Sequence, residues 1–374
     1  MLNKDKEEKK AYRRFVIPSL VIFLFVMAFP IILSFVLSLS NFSGGKMFGG
    51  SRWKITGLQN YSYLFSDSYF WNALLNNIYL VLISVFGQLP LGMILAYLIY
   101  RKTVKGGEFW QGILYVPSVI SVIVIGIMWN LIFSPYGPVS QIINDINTSS
   151  FTKEVMAVLN GHLDLNGSLV VNSSLIKDLI NINAQSAALL GNDPANVLAT
   201  FLKTLGTENL KETGVLLTNL LCPKWSASFL NERGVSMLPI LFVTLWCWTG
   251  MYLILFLANM QKIDPQTLDS AQIDGAKEST ILRHIILPEL SGVIMNSAIL
   301  CISGSLSTFD LIYAMTGGGP ARITQVLSIY MYEKAFTGTP NYPLSNAISI
   351  MMVVFSLILI GITKAVQKKL EGNR

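Results

Sequence analysis

The sequence has little charge and lacks the motifs that mark most soluble enzymes. Charged residues make up 13% of its 374 residues, about half the usual share in soluble domains, and hydrophobic residues make up 52%. Its three cysteines show no disulfide or metal-ligand spacing, and no basic run with interleaved aromatics accompanies the net charge of +6. The P-loop pattern GxxxxGK followed by Ser or Thr does not occur. These absences exclude a disulfide scaffold, a metal centre, a nucleic-acid binder and an ATPase with its own P-loop.

Long apolar runs dominate the chain. Six of them are long enough to cross a bilayer as a helix, which takes about 20 residues, and none contains a charge. Their hydrophobicity is continuous rather than alternating, which favours helices over barrel strands. The first run is too long for the apolar core of a secretory signal. The sequence therefore predicts an all-α polytopic membrane protein with six spans, at 15–38, 76–100, 109–133, 237–260, 290–309 and 344–363.

Lysine and arginine near the spans predict the orientation. They are concentrated in the N-terminal tail, in the connections after the second and fourth spans, and in the C-terminal tail. Both termini are therefore expected on the cytoplasmic side. The chain then divides into tails at 1–14 and 367–374, spans one to three in 15–133, a long outer segment at 134–236, and spans four to six in 237–366.

The outer segment, residues 134–236, is predicted to be a folded helical insert outside the membrane. Its acidic residues outnumber its basic ones, and it carries helix boundary signals. Asp193 can cap a helix that begins at Pro194 and ends at Gly206, and a second helix is expected from Thr207. The apolar face expected for the first helix consists of Val197, Leu198, Phe201, Leu202 and Leu205. We expect the insert to dock a binding protein or to cap an outer gate.

The segment 263–288 lies between the fourth and fifth spans, on the predicted cytoplasmic side. Asp264 and Pro265 are suited to begin a short helix, and Gly275 can end it by turning the backbone. Small side chains on such a helix would let the surface of another protein approach the backbone closely. The small residues here are Ser270, Ala271, Gly275 and Ala276.

This segment resembles the coupling motif of binding-protein-dependent ABC transporter permeases, within the carbohydrate-uptake family that includes the maltose-type permeases. Asp269, Ser270 and Ala271 stand where the family has Glu-Ala-Ala, so the first two positions depart from the pattern. Shorter matches lie at Gly57-Leu58-Gln59-Asn60-Tyr61, Pro117-Ser118 and Trp246. The resemblance implies the fold of a type I importer permease. It also implies a set of residues that couple to an ATPase subunit: Asp269, Ser270, Ala271, Asp274, Gly275, Ala276, Leu287 and Pro288.

The resemblance further implies an assembly. A second homologous permease, two ATP-binding subunits and an extracellular sugar-binding protein would complete a transporter in the bilayer of a bacterial cell membrane. ATP and Mg would be bound by the partner ATPase, with no cofactor in this chain, which would be a non-catalytic membrane subunit. The expected function is import of a carbohydrate, in particular an oligosaccharide. Import of another small solute such as a glycerophosphodiester is the alternative.

The positions that face sugar in maltose-type permeases can be carried over by counting along two spans. They are Cys301, Gly304, Ser305 and Thr308 in the fifth span, and Trp248 and Met251, beside Cys247, in the fourth. The spacing in the fifth span puts its four residues on one helical face. Small residues on such a face also fit close packing between helices, and both interpretations stay open. Trp248 is the expected stacking platform for a sugar ring. Because the family's amide and aromatic groups are mostly absent here, the sugar is expected to differ from maltose.

The stretch after the fifth span resembles the external gate loop of maltose-type permeases in Tyr313, Thr316, Gly318, Gly319 and Pro320. Glycines there permit a tight re-entrant backbone.

Two rival classes of membrane protein are also open. An ion-gradient symporter would be expected to show carboxylates inside the membrane, for which Asp310 is the nearby candidate, or broken-helix repeats. A membrane receptor would lack the coupling segment. Copurification of an ATPase would distinguish an ATP-driven importer from a symporter and from a receptor.

Overall fold

A computed structural model describes residues 2–44, 54–163, 171–182, 193–205, 214, 217, 230 and 235–372. Within these ranges the chain is helical and contains no strand beyond isolated bridges, such as the antiparallel pair Ser40 and Ile55. The all-α prediction is therefore confirmed for the part of the chain that is described. The chain forms two compact units, one of Met1–Trp129 with Arg233–Arg374 and the other of Asn130–Glu232.

The helices follow one another with short connections. Those before residue 133 are α1 (Leu2–Phe23), α2 (Phe29–Ser38), α3 (Gln59–Ser66), α4 (Ser68–Ile83), α5 (Leu89–Tyr100), α6 (Gly107–Val119) and α7 (Val122–Ile132). Within the second unit lie α8 (Pro138–Gly161), α9 (Ser173–Ile182) and α10 (Pro194–Leu205). The remainder are α11 (Met237–Met260), α12 (Pro265–Ile273), α13 (Glu278–Ile281), α14 (Leu287–Glu289), α15 (Ser291–Ser307), α16 (Asp310–Thr316), α17 (Leu327–Phe336) and α18 (Tyr342–Gly372).

Four helical stretches in the described residues are long and apolar enough to cross a membrane, and two bent pairs bring the number to six if each pair is one span. The four are Arg14–Ser38, Ser68–Tyr100, Met237–Met260 and Tyr342–Lys369. The pair α6 and α7 bends by 95°, and the helix over Glu278–Glu289 meets α15 at 66°. The third predicted span is thus not one straight helix, in contrast to the sequence interpretation. The fifth, predicted at 290–309, corresponds to α15, and the bend of 66° lies just before it.

Close backbone contacts accompany the bend of the third span. A Cβ on Gly250 of α11 would lie 2.0 Å from the Leu114 carbonyl oxygen of α6, and one on Gly126 of α7 would lie 2.5 Å from the Cβ of Ala314. Any side chain at either glycine would force the helices apart. The first half of the third span, α6, therefore packs against α11. The second half, α7, packs against α16 and, through Trp129, also against Phe242 and Trp246 of α11.

Three prolines lie two residues after a π turn. The π turns are Leu24–Ala28, Ser84–Gln88 and Leu282–Ile286, and the prolines are Pro30, Pro90 and Pro288. A proline has no N–H and its ring collides with the carbonyl one turn earlier, so the widened π turn relieves the contact. Prolines within the apolar runs are tolerated in this way, without ending the first two spans.

One buried apolar cluster of the first unit joins four parts of the chain. They are α5, α11, α15 and the stretch that connects α11 to α15. Its fully buried side chains include Ala96, Phe256, Met260, Ile281 and Ile286. The outer faces of the first and last spans are instead exposed. In the most apolar stretch of each of these two spans, only 6% and 11% of the residues are buried within the chain, which suits contact with lipid or with other membrane subunits.

The second unit has a small apolar core of its own. Its buried residues are Val155, Leu159, Leu175, Ile176, Leu179, Leu198, Leu202 and Leu217. As predicted, α10 begins at Pro194, with the Asp193 carboxylate accepting from the Asn196 N–H at 3.1 Å. Val197 is 41% exposed, so it lies outside the buried stripe formed by Leu198 and Leu202 one turn apart, contrary to prediction. The side chains of Phe201 and Leu205, the end at Gly206 and the helix expected from Thr207 lie outside the described residues.

Candidate functional site

The segment 263–288, here called the coupling segment, contains a short helix with defined ends. The Asp264 carboxylate accepts from the Gln266 N–H at 3.0 Å, and Pro265 occupies the first turn of α12, as the sequence predicts. At the other end Gly275 has a φ of +76°. The Gly275 N–H donates to Gln272 at 3.0 Å and the Ala276 N–H to Ala271 at 2.9 Å, which is the Schellman pattern of helix termination. Gly275 thus turns the chain through a left-handed conformation that other residues adopt at a cost.

The predicted coupling residues divide between an outer and an inner face. Asp269, Ser270, Asp274 and Gly275 are exposed, and Ala271 and Ala276 are half-buried against the core of the first unit. The sequence interpretation missed Ile273, which is 86% exposed. A large apolar side chain at the tip of a polar helix favours contact with a partner protein. Its signal in the sequence was a lone isoleucine between polar residues.

The opposite face of the coupling segment is anchored. Leu268, Ile281, Ile286 and Leu290 are at most 4% exposed and lie in one cluster with residues of α5 and α11. Leu287 and Pro288 are half-buried at the junction with α15. The segment therefore combines an exposed tip with a base that is rigidly attached to the spans.

A polar contact joins the coupling segment to the end of the second span. The Arg101 Nε donates to the Glu278 carboxylate at 3.0 Å, a second guanidinium nitrogen pairs with the other carboxylate oxygen, and the Tyr97 hydroxyl donates to Glu278 at 2.6 Å. The hydrogen bond to Glu278 raises the pKa of Arg101 above its ordinary value. Sequence reasoning treated Arg101 as a topology signal and missed this contact, because the partners are far apart in the chain.

The six residues predicted for a substrate path come together in one cavity of about 410 Å³. Trp248 and Met251 of α11 line it, as do Cys301, Gly304, Ser305 and Thr308 at the end of α15. Residues that sequence reasoning did not select complete the lining: Ser84, Gln88, Val122, Thr244, Tyr252, Leu300, Ser307, Phe309, Asp310 and Leu311. Most of the missed residues come from other elements, so no count along a single span could have found them.

The cavity lining divides into packed and open positions. The Ser305 hydroxyl donates to the Ser84 hydroxyl at 2.9 Å, and the Cys301 thiol lies 3.7 Å from the Ser84 carbonyl oxygen, so both residues pack the fifth span onto the second. Gly304 is different, because a Cβ there would meet nothing within 4 Å. Cys247 is fully buried, with its thiol 3.7 Å from the Pro117 carbonyl oxygen, and does not line the cavity. The packing interpretation therefore fits Cys247, Cys301 and Ser305, and the open interpretation fits Gly304.

The predicted gate loop is a compact turn after α16. Gly317 and Gly318 have φ values of +61° and +85°. The Thr316 and Thr324 hydroxyls are 2.8 Å apart, and the Gly318 N–H donates to Thr316 at 3.2 Å, which closes the loop on itself. Pro320 lies within this loop, which continues to the start of α17 at Leu327, whereas Tyr313 precedes the loop on α16.

Three asparagines of α4 hold this loop to the second span. Asn72 donates to the Arg322 carbonyl at 2.9 Å, and Asn76 donates to the Ile323 and Gln325 carbonyls at 2.8 Å each. Asn77 donates to the Ser305 carbonyl at 3.0 Å and accepts from the Leu327 N–H at 2.9 Å. Buried amides thereby supply hydrogen bonds to loop backbone that has no regular partners.

Comparison with known proteins is consistent with these features. The model of the family described as "Binding-protein-dependent transport system inner membrane component" matches residues 88–372. The lactose transport system permease protein LacF of Rhizobium radiobacter is 25% identical over 347 residues, which cover 92% of this chain and 90% of that protein.

Two solved structures also resemble this chain. One is of a bacterial ABC transporter involved in the import of the acidic polysaccharide alginate, with a TM-score of 0.64 and 18% identity over 98% of both chains. The other is of a bacterial alginate ABC transporter in complex with alginate pentasaccharide-bound periplasmic protein, with a TM-score of 0.60, 18% identity and coverage of 98% of this chain and 97% of that one.

The helical fold, the apolar spans and the capped helix between the fourth and fifth of them define a polytopic membrane protein. The family match extends over more than half of the chain and includes the coupling segment and every cavity-lining residue except Ser84. The chain belongs to the family of binding-protein-dependent transport system inner membrane components. It is accordingly a membrane-spanning permease.

Proposed function

We propose that this chain is one of two permease subunits of an ATP-driven importer of an uncharged oligosaccharide, delivered by an extracellular binding protein. The observation that carries the proposal is the cavity of about 410 Å³, which is lined by Trp248 together with small and hydroxyl-bearing residues. Sugars offer apolar ring faces for stacking and hydroxyls for hydrogen bonds, and this lining supplies partners for both.

Relatives support the carbohydrate class. LacF is a lactose transport permease, and the transporter of similar fold carries alginate, a polysaccharide. The cavity opens where a Cβ on Gly304 would meet nothing, which leaves room for a ring beside Trp248 and Met251. Close packing between helices explains why Ser305 and Cys301 are small, but it does not explain the open space at Gly304.

The charge of the cavity supports an uncharged substrate. Asp310 is the one charged side chain among the described residues that line it, and no lysine or arginine does. An anionic substrate would meet a like charge without a compensating cation. This argues against alginate-type uronic acids and against the alternative of a glycerophosphodiester, which carries a phosphate.

The coupling segment supports a proposal about the partners. Its exposed tip, with Ile273 and the small residues around Gly275, is proposed to bind a groove on an ATP-binding subunit, which would bind ATP and Mg and hydrolyse ATP. A second, homologous permease would present an equivalent segment to a second ATPase subunit. Closure of the ATPases would move the two segments together and switch the spans from inward-open to outward-open, provided that each state makes different contacts.

The orientation is part of the same proposal. The coupling segment and both termini would face the cytoplasm of a bacterium, and the second unit would lie outside the membrane, where it would dock the binding protein or cap the gate. Deleting residues 145–221 should then lower the stimulation of ATPase activity by the binding protein. Unchanged stimulation and transport would show that the unit has neither role.

A tagged complex from native membranes tests the proposal as a whole. In gentle detergent, a second permease and an ATPase should copurify with the chain. The complex is then reconstituted in vesicles and assayed in the presence of the binding protein. It should take up labelled neutral oligosaccharides, and it should not take up alginate oligosaccharides or a glycerophosphodiester. Absence of an ATPase would refute the importer assignment. Uptake confined to anionic solutes would refute the substrate class.

A further inference from the structure

Four aromatic rings form a continuous row beside the cavity. Phe309 and Tyr313 of the α16 region are stacked, with ring centroids 5.0 Å apart and an interplanar angle of 16°. Tyr332 of α17 contacts both of them, at 5.3 and 5.7 Å, and Phe336 extends the row with its centroid 5.4 Å from Tyr332. We call these four residues the aromatic row.

The far part of the aromatic row is open. Tyr313 is 47% exposed and Phe336 is 70% exposed. Neither the Tyr313 nor the Tyr332 hydroxyl has a hydrogen bond to any residue in the described ranges. The row therefore offers both apolar ring faces and free hydroxyl groups, the combination that stacks a sugar ring and binds its hydroxyls.

The near end of the aromatic row belongs to the cavity. Phe309 lines the cavity together with Thr308 and Asp310, its neighbours in the chain. Asp310 is exposed and lies one turn from Tyr313 on the same helix. A carboxylate is costly against hydrocarbon, so this edge of α16 faces an aqueous space rather than lipid. An aromatic belt at the membrane interface, the other common setting for exposed tyrosines, does not explain why the row continues into the cavity.

We propose that the aromatic row is an outer subsite that stacks the trailing sugar units of an oligosaccharide while its leading unit occupies the cavity beside Trp248. The inference rests on the proposed function and adds to it a discrimination by chain length. A disaccharide would be held by the cavity alone, and longer chains would gain contacts with Tyr313 and Phe336.

The test compares uptake of a labelled neutral series, disaccharide to pentasaccharide, by reconstituted complexes that carry single substitutions. Phe336→Ala and Tyr313→Ala should lower the uptake rate of the longer members by about two- to tenfold, the range expected for loss of one aromatic contact. Disaccharide uptake and ATPase copurification should stay at the wild-type level. Tyr313→Phe keeps the ring and should retain most of the long-chain uptake. Phe25→Ala removes a ring from the first span that is 75% exposed, close to the 70% of Phe336, and is the matched control for Phe336→Ala.

Three outcomes would overturn the subsite. Equal loss for all chain lengths would indicate a general defect, unchanged uptake of all lengths would show that the rings do not touch the sugar, and loss of the second permease or of binding-protein stimulation would identify the row as a protein interface. Failure of the proposed function looks different. In that case the wild-type complex would itself import no sugar of any length.

Discussion

Substitution of Gly275 offers the sharpest test of the coupling segment. The residue has a φ of +76°, and a Cβ there would meet nothing within 4 Å in this chain. A residue with a Cβ, asparagine and aspartate excepted, is destabilised by about 1–2 kcal/mol in this left-handed region, whatever the size of its side chain. Gly275→Ala and Gly275→Arg therefore share the same backbone cost, and only the arginine adds bulk and charge to the surface that the ATPase is proposed to cover.

Gly275→Asn completes the series because asparagine tolerates the left-handed conformation. We expect Gly275→Asn and Gly275→Ala to keep the ATPase bound and to lower uptake modestly. Gly275→Arg should release the ATPase or leave ATP hydrolysis without transport. Since the turn is exposed, none of the three should change the thermal stability of the permease by more than the backbone cost.

The assay is the ratio of sugar uptake to ATP hydrolysed in the reconstituted complex, together with the amount of ATPase that copurifies. Normal uptake and copurification with Gly275→Arg would refute the mechanical assignment. Equal losses with alanine and arginine would mean that the backbone turn, rather than a contact surface, is what transport requires.

Three further predictions concern the spans. Removing either partner of the contact between Arg101 and Glu278 should lower the ratio of uptake to hydrolysis. The melting temperature should hardly change, because Glu278 is 58% exposed and such pairs contribute about 0.2–1 kcal/mol; a double-mutant cycle with Arg101→Ala and Glu278→Ala measures the coupling. Gly304→Leu should place a side chain in the cavity and lower sugar uptake by about tenfold or more, which corresponds to a loss of about 1.4 kcal/mol in substrate binding. Gly361→Leu is the control: this glycine of α18 is equally open, and uptake should not change. Asn77→Ala leaves the Leu327 N–H without its acceptor and should cost about 1–3 kcal/mol, seen as a lower melting temperature in detergent; an unchanged value would contradict the role of this amide.

Features set by local chemistry could be predicted from the sequence. Asp264, Pro265 and Gly275 define the ends of α12 through capping and backbone preferences that depend on a few neighbouring residues. The face that carries Gly304 and Thr308 likewise follows from helical spacing alone, and the structure places both in the cavity.

Features set by distant packing could not be predicted in this way. Arg101 meets Glu278, and Asn77 meets Leu327, across separations of 177 and 250 residues. The bend of the third span is another example. It accompanies the approach of Gly250 to the Leu114 carbonyl, and a glycine in an apolar run does not reveal which helix will approach it.

Packing also connects the coupling segment to the cavity. One buried cluster contains Leu268 and Ile281 of the coupling segment, and it continues without interruption to Tyr252 and Cys301, which line the cavity. Because such a core is close-packed and deforms little, the proposed displacement of the exposed tip would be passed to the cavity wall as a movement of whole helices. The bends of 66° before α15 and of 95° in the third span are the places where such helices can change their relative angle. On the proposed mechanism, transport would require two packings of this cluster, and the contact between Arg101 and Glu278 would favour one of them.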